Sequence, residues 1–139
     1  MVSMTRMTPT EIEAFLRAPR HAVLGVNRED GPPHLSPVWY HYEEGNFVIS
    51  ITTATVKYRL LRRDPRVSLC IDGGYPDYRT VLVAGVAELR PHDEAARWRI
   101  IRRYYEDEAN ARRYAESTRG ASHVLVVVRA DRVSGQDFN

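Results

Sequence analysis

The segment from Ser50 to Lys57 combines residue types that bind anions. A predicted strand carries the hydroxyl side chains of Ser50 and Thr52, and a predicted helix begins directly after it, near Thr55. The first turn of a helix has free backbone N–H groups and partial positive charge, to which Lys57 adds a full charge. These groups predict a site for a phosphate or a similar anion. The same residues also suit a simpler interpretation, a capped helix with a solvated lysine.

Lys57 is the only lysine among the 20 lysine and arginine residues of the chain. An ammonium group is a compact charge on a flexible stem, and its position in this turn suits a docked phosphate. The arginines that follow, Arg62, Arg63 and Arg66, could also reach a polyanion. Asp64 lies among them, however, so a structural salt bridge explains these arginines equally well.

The other polar residues indicate no second reactive centre. His34 and His41 are seven residues apart on one predicted strand, so they point to opposite faces and no metal site is predicted. The sequence lacks the Gly-x-Ser-x-Gly pattern of a hydrolase nucleophile. Tyr40 and Tyr78 could donate a proton or a hydrogen bond, although tyrosines of a barrel more often pack with the hydroxyl at its rim.

Length and composition are those of one globular domain over residues 1–139. The chain is 43% apolar and 27% charged, and its formal net charge is +2. Its N-terminus has no apolar core typical of a signal peptide, and its longest apolar runs fall short of the roughly 20 residues that span a membrane. The single cysteine, Cys70, cannot form an internal disulfide, and its apolar neighbours predict a buried strand thiol. We expect a cytoplasmic protein.

The predicted elements are mainly strands. Thr8 and Glu11 form a capping box that begins a helix ending before Pro19. Strands are predicted over residues 22–26, 34–42, 47–53, 66–72, 78–89 and 122–128, and further helices over residues 55–63 and 93–117, with only the chain ends loose. The fold class is α+β and mainly β, and six antiparallel strands favour closure into a barrel, which removes exposed edges.

Two stretches carry a family resemblance. Residues 31–40 run from Gly31 to Tyr40, and residues 50–69 contain Lys57 followed by the run from Arg62 to Arg66. Both resemble the pyridoxamine 5'-phosphate oxidase-like split-barrel flavoproteins, and within them most closely the actinobacterial branch that uses the deazaflavin coenzyme F420. The order of elements fits along nearly the whole chain, and the diagnostic residues cover roughly residues 31–90.

This resemblance implies a six-stranded antiparallel split β-barrel, the FMN-binding split barrel, with an N-terminal helix and a long helix before the last strand. It also implies a homodimer with cofactor clefts at the subunit interface. Lys57 would bind the cofactor phosphate, and the loop from Tyr75 to Arg79 would come from the partner subunit. The cofactor contacts implied by position are Ser36, Pro37, Val38, Ser50, Ile51, Thr52, Thr55, Lys57, Tyr75, Tyr78 and Arg79.

Two positions depart from the family pattern. Relatives often have a basic residue two positions before the lysine and an asparagine three positions after it, where this chain has Thr55 and Leu60. The phosphate contacts are therefore weaker or differently built, and FMN is the alternative cofactor. Trp39 lies near enough to the cleft to contact a bound ring, although Trp39 and Trp98 are both expected to be structural.

The function implied by the resemblance is hydride transfer between coenzyme F420 and a small conjugated organic substrate. This chemistry belongs to the cofactor, so the resemblance implies no catalytic residue. The alternatives are an FMN-binding flavin reductase, a pyridoxamine-phosphate-oxidase-like enzyme, or a non-catalytic flavin or deazaflavin carrier. A nucleic-acid module is suggested by the isoelectric point of 8.8 and by the arginines after residue 96. Glu106, Asp107 and Glu108 interrupt that basic run, as on a solvated helix face, so no nucleic-acid partner is predicted.

Overall fold

The computed structural model describes residues 4–139, in which strands outnumber helices. The elements are β1 (Thr5–Arg6), α1 (Pro9–Arg17), β2 (Ala22–Val26), β3 (His34–Val38), β4 (His41–Glu43), β5 (Asn46–Thr52), α2 (Val56–Arg63), β6 (Arg66–Asp72), β7 (Arg79–Pro91), α3 (Glu94–Arg103), α4 (Glu108–Thr118) and β8 (His123–Asp137). Residues 1–3 of the predicted domain lie outside the described residues. Within residues 4–139, no helix is long and apolar enough to cross a membrane.

One antiparallel sheet contains all the strands. Its order is β3-β2-β6-β7-β8-β5-β4, and β1 pairs with β8. The outermost strands of this path, β3 and β4, are separated in the chain only by Trp39 and Tyr40, so the sheet curls back on itself. The predicted mainly-β α+β architecture is confirmed. The strand count exceeds the six predicted because β1 is an additional strand of two residues and the predicted strand over residues 34–42 is divided into β3 and β4.

The core fills the inside of the curled sheet. Phe47, Ile49 and Ile51 alternate along β5 with less buried residues, as expected for a strand with one buried face. Helix α1 covers one end of this core with Phe15 and Leu16, which are both fully buried. Burial of each such large apolar side chain contributes about 1.5–3 kcal/mol.

The start of α1 has the predicted capping box. The backbone N–H of Thr8 donates to Glu11 Oε1 over 2.8 Å, and the N–H of Glu11 donates to Thr8 Oγ1 over 3.2 Å. These two bonds satisfy backbone donors that have no partner within the helix. The helix ends at Arg17, before Pro19, as predicted.

The prediction of one long helix over residues 93–117 is wrong, because the chain forms two helices there. The last turn of α3 closes where the N–H of Tyr104 donates to the carbonyl of Ile101, over 3.0 Å. Asp107 then begins α4, and its carboxylate accepts the N–H of Ala109 over 2.9 Å. An aspartate is a strong N-cap, which explains why the chain restarts a helix at this position. The two helices pack together through Ile101, Ala111 and Ala115.

The strand predicted over residues 34–42 is divided into β3 and β4. The ring of Tyr40 lies in the core between them, and its hydroxyl donates to the carbonyl of Leu16 over 3.0 Å. Tyr40 is therefore not available as a donor to a substrate, because its side chain is fully buried and its hydroxyl is already bonded. Burial raises the pKa of Tyr40 to about 12.

The last strand is longer than predicted and the chain end is not loose. Strand β8 pairs with β5 over its first half and with β7 along most of its length, as far as Asp137. An irregularity in the β7 register lies between Ala84 and Gly85. A Cβ atom at Gly85 would lie 2.2 Å from the carbonyl oxygen of Arg129, so only glycine permits this close approach.

The predicted burial of Cys70 is wrong. Val67, Leu69 and Ile71 point into the core, and the alternation of β6 therefore turns Cys70 outward, where it is exposed. Cys70 pairs across the sheet with Val23 on β2 and with Leu82 on β7. This thiol lies on an apolar outer face of the sheet.

Candidate functional site

Most of the predicted cofactor residues meet in one cavity of about 480 Å³. We call it the Lys57 cavity. It lies where β3, β5 and the start of α2 approach one another. Its lining residues are His21, Pro37, Val38, Trp39, Ser50, Ile51, Thr52, Thr55, Lys57 and Tyr114.

The first turn of α2 forms the polar end of the Lys57 cavity. Thr55 is the N-cap, and its Oγ1 accepts the N–H of Tyr58 over 3.4 Å and donates to the carbonyl of Thr52 over 2.8 Å. The capped helix of the simpler interpretation is therefore present. The N–H groups of Val56 and Lys57 lie in the same turn, where a helix has no backbone acceptors of its own. They remain available to an anion.

Lys57 is half-buried, which differs from the solvated lysine of the simpler interpretation. Within residues 4–139, its ammonium group has neither an ion pair nor a hydrogen bond. Burial lowers the pKa of Lys57 because it removes water from the charged form. An anionic partner would offset this cost of burying the charged form.

The hydroxyl of Ser50 is a second polar group in need of a partner. Its Oγ atom is buried and has no hydrogen-bond partner among the described residues. Leaving a buried hydroxyl unbonded costs about 1–3 kcal/mol. Ser50 is one of the residues that line the Lys57 cavity. Together, Ser50 and Lys57 fit a ligand that carries both an anionic group and further hydrogen-bonding atoms.

A second cavity, of about 500 Å³, adjoins the first. We call it the α3–α4 cavity. The two cavities share Trp39, Ser50, Ile51, Thr52 and Tyr114. The additional lining residues are Arg97, Ile100, Ile101, Ser117, Thr118, Gly120, Ala121 and His123.

Sequence reasoning missed the polar side chains of the α3–α4 cavity. Arg97 is only 3% exposed, pairs with Glu94 over 2.8 Å and also donates to Thr118. The Nε2 atom of His123 lies 2.8 Å from the carbonyl oxygen of Thr118. The spacing of Arg97, Ile100 and Ile101 places all three on one helix face. This spacing is the feature of the sequence that indicates a buried Arg97.

Four aromatic side chains form the wall between the sheet and the two helices. The ring of Trp39 stacks on Tyr104 at a centroid distance of 4.8 Å, and it lies 5.3 Å from the ring of Tyr114. Tyr105 meets Trp39 edge-on at 6.0 Å. Trp39 thus both packs against the helices, as expected, and lines both cavities.

Four of the predicted residues lie elsewhere. Ser36, on β3, pairs with Leu24 on the neighbouring strand β2, and it does not line the Lys57 cavity. Tyr78 and Arg79 line a separate cavity of about 600 Å³, together with Phe138. Tyr75 is 88% exposed. The contribution of Tyr75, Tyr78 and Arg79 to a cofactor site in a partner subunit stays a prediction, and so does the contact of Ser36 with the cofactor ring.

The guanidinium of Arg79 is held within its own chain. It makes two hydrogen bonds to the carboxylate of Asp77, over 2.8 and 2.7 Å, and lies 5.0 Å from the ring centre of Phe15. The Arg79 guanidinium holds the pKa of Asp77 down, at about 2, and Arg20 adds to this effect from 3.4 Å. These contacts fix the loop that begins at Gly73 against α1.

The arginines after Lys57 make contacts within the protein, in line with the interpretation that they have a structural role. Arg66 pairs with Asp64 over 2.8 Å, which holds the pKa of that carboxyl far below its usual range. Arg63 donates to the carbonyl of Asn27 over 3.3 Å. Arg62 lies 5.7 Å from the ring centre of Tyr58. None of the three lines the Lys57 cavity.

Comparison with known proteins identifies the family and the fold. The family model described as pyridoxamine 5'-phosphate oxidase matches residues 8–137. A conserved hypothetical protein of Mycobacterium tuberculosis is 30% identical, with a TM-score of 0.74 over 96% of this chain and 86% of that chain.

Two further structures have the same fold at lower identity. An F420 reductase is 24% identical, with a TM-score of 0.70 over 87% of this chain and 94% of that chain. A FAD-binding protein from Mesorhizobium loti is 20% identical, with a TM-score of 0.72 over 99% of this chain and 98% of that chain. The predicted split-barrel fold is thereby confirmed.

Proposed function

The chain belongs to the pyridoxamine 5'-phosphate oxidase family of oxidoreductases, and on that premise we propose that it binds coenzyme F420 in the Lys57 cavity. In this proposal it transfers hydride between the deazaflavin and a small conjugated organic substrate. The observation that carries the proposal is the half-buried ammonium of Lys57, which has no partner within residues 4–139 and shares a cavity with the unbonded hydroxyl of Ser50.

The phosphate of the cofactor would be held at the start of α2. Lys57 supplies the full positive charge, and the free N–H groups of Val56 and Lys57 supply donors at the positive end of the helix. A charge-assisted hydrogen bond of this kind contributes about 1.5–3 kcal/mol. Thr55 contributes as the helix cap and not as a donor to the phosphate, because its hydroxyl and its backbone N–H both already donate to the carbonyl of Thr52.

The ring system would be held by the sheet side of the cavity. Pro37, Val38 and Trp39 provide apolar walls, and Ser50 provides a hydrogen-bonding group. The bound deazaflavin supplies the hydride chemistry, while the protein orients the reactants and excludes water.

The α3–α4 cavity is the proposed place for the substrate. Because it shares Trp39 and Tyr114 with the Lys57 cavity, a molecule there lies next to the cofactor. Its walls are aromatic and aliphatic, which suits a planar conjugated molecule, and His123 and Thr118 offer polar contacts. A second cavity of this kind favours an enzyme over a non-catalytic carrier.

FMN is the second candidate cofactor. It also carries a phosphate, and the structural similarity to a FAD-binding protein is a reason to test it. Coenzyme F420 ranks first because residues 31–69 resemble the deazaflavin branch, and the similarity to an F420 reductase is in line with this ranking.

We further propose a homodimer that forms through the outer face of the sheet. Leu35, Leu82 and Val133 are between 43% and 64% exposed there, and they surround a groove of about 950 Å³ that Val23 and Cys70 also line. Monomers rarely leave so many neighbouring apolar side chains in water. A symmetric partner would cover this face in both subunits.

The test of the enzymatic proposal is turnover. We expect the protein to oxidise reduced F420 in the presence of conjugated acceptors such as quinones, and to do so faster than reduced FMN. Ala121 is exposed and lines the α3–α4 cavity, so the larger side chain of Ala121→Trp should occupy this cavity. We expect this variant to have lower turnover and unchanged cofactor binding. Cofactor binding without turnover of any acceptor would instead favour the carrier, and faster oxidation of reduced FMN would favour the flavin branch.

A further inference from the structure

A cleft rich in arginine lies between α1, β4 and α3, apart from the proposed cofactor site. Its volume is about 660 Å³, and its lining residues are Arg17, His41, Tyr42, Trp98, Arg99, Arg102 and Arg103. It shares no lining residue with the Lys57 cavity or the α3–α4 cavity. We call it the arginine cleft.

Positive charge in the arginine cleft exceeds the negative charge beside it. Glu13 pairs with Arg17 over 3.6 Å, and Glu43 lies 4.0 Å from Nδ1 of His41. Within residues 4–139, the other three arginines of the cleft, at positions 99, 102 and 103, form no ion pair. Four guanidinium groups therefore line the cleft, while Glu13 pairs with one of them and also accepts the hydroxyl of Tyr42 over 2.6 Å.

Arg102 and Arg103 are already oriented by the fold. Arg102 donates to the carbonyl of Tyr105 over 2.6 Å, and Arg103 donates to the carbonyls of Arg17, over 2.9 Å, and Tyr40. A guanidinium has five N–H donors, so these bonds fix the side chains and leave donors unused. Fixed guanidinium groups lose less entropy on binding a ligand than free ones do.

Arg99 makes no such hydrogen bond to the backbone of the described residues. It is exposed at the cleft, and among the described residues its side chain makes neither a hydrogen bond nor an ion pair. The neighbouring histidine reflects the same excess of charge. Burial is the main cause that lowers the pKa of His41, Arg103 and Arg99 lower it further, and only Glu43 opposes them.

We propose that the arginine cleft binds a small, multiply charged phosphate compound, of the class of nucleoside polyphosphates or inorganic polyphosphate. Guanidinium groups match phosphate oxygens in paired hydrogen bonds. Trp98 and Tyr42 add aromatic surface to the lining, and the Arg112 guanidinium lies over the Trp98 ring, 4.9 Å from its centre. The volume is that of a small-molecule site. The acidic residues Glu106, Asp107 and Glu108 follow α3 and disfavour a long nucleic acid along this side.

The test is calorimetric titration of the protein with ADP, with pyrophosphate and with a single-stranded oligonucleotide. We expect ADP or pyrophosphate to bind, and Arg99→Glu to weaken that binding by at least about tenfold. Tighter binding of ADP identifies the nucleoside form as the ligand, and equal binding identifies the phosphate groups as sufficient. Arg113→Glu makes the same charge change at an exposed position outside the cleft, and it should alter affinity less than about twofold.

Three results would overturn the proposal. They are no binding of either small anion, binding of the oligonucleotide alone, and equal weakening by Arg99→Glu and Arg113→Glu. Lys57→Gln separates this site from the proposed cofactor site. It should leave ADP binding unchanged, and a loss as large as that of Arg99→Glu would assign the anion to the Lys57 cavity instead.

Discussion

The indole of Trp39 lies nearly parallel to the phenol ring of Tyr104, at a centroid distance of 4.8 Å and an angle of 7°. The hydroxyl of Tyr104 donates to the carbonyl of Arg20 over 2.7 Å and accepts the N–H of Tyr40 over 3.2 Å. The end of α3 is thereby joined to the junction between β3 and β4. Because Trp39 lines both cavities, this stack sets the wall that they share.

Removal of Tyr104 should therefore loosen Trp39. In a Trp98→Phe background, Trp39 is the only tryptophan left, so its fluorescence reports on this wall. We expect Tyr104→Ala to increase quenching by acrylamide and to lower the free energy of unfolding by about 2–3 kcal/mol. Tyr75→Ala removes an exposed ring and serves as the control. Unchanged quenching would show that the stack does not hold Trp39.

The contacts of Asp77 predict a dependence of stability on pH. Arg79 and Arg20 lower the pKa of Asp77 to about 2 from 3.8. A lowered carboxyl pKa stabilises the fold above about pH 4, and this contribution is lost as the pH falls towards 2. Asp77→Asn should therefore lower Tm at pH 7, and the difference from wild type should narrow below pH 4. A difference that stays constant down to the lowest measurable pH would contradict this account.

The buried hydroxyl of Tyr40 predicts a moderate loss of stability. Tyr40→Phe leaves the carbonyl of Leu16 without the 3.0 Å hydrogen bond and without access to water. The expected cost is about 1–2 kcal/mol in urea denaturation. Tyr78→Phe removes a hydroxyl from a side chain that is 52% exposed and should change stability by less than about 0.5 kcal/mol. Equal effects of the two substitutions would contradict the role assigned to Tyr40.

If the dimer forms through the apolar outer face of the sheet, one charged residue introduced into that face should dissociate it. Leu82 is 50% exposed at the middle of the apolar face, so Leu82→Asp should yield a monomer in light scattering at micromolar concentration. Arg90→Asp changes a charge on the same strand but outside the face and should leave the dimer intact. A wild-type monomer would contradict both this interface and a cofactor site shared between subunits.

Local patterns in the sequence were sufficient for several elements. The capping box at Thr8, strand β2 and strand β6 were predicted because their signals depend only on neighbouring residues. Most residues of the Lys57 cavity were also identified, since strand β5 leads directly into α2. The two-residue period of β6 implies the outward direction of Cys70, which the apolar character of its chain neighbours does not show.

Other features depend on contacts between distant parts of the chain. The second half of β8 is polar in sequence, and its pairing with β7 decides that it is a strand. The α3–α4 cavity exists because Trp39, from the sheet, meets Tyr114, from a helix. No pattern along the chain shows such a meeting.

The most direct test of the account is a side-by-side fluorescence titration with coenzyme F420 and with FMN. The wild-type protein is compared with Lys57→Gln and with Arg59→Gln, an exposed arginine on the same helix. Without cofactor, Lys57→Gln should not lower Tm, because within residues 4–139 the Lys57 ammonium is partly desolvated and has no partner.

We predict that F420 binds more tightly than FMN. Lys57→Gln should weaken F420 binding by about 10- to 100-fold, whereas Arg59→Gln should weaken it less than about threefold. Tighter binding of FMN would contradict the assignment of the cofactor. An affinity for F420 that does not depend on Lys57 would contradict the assignment of the site.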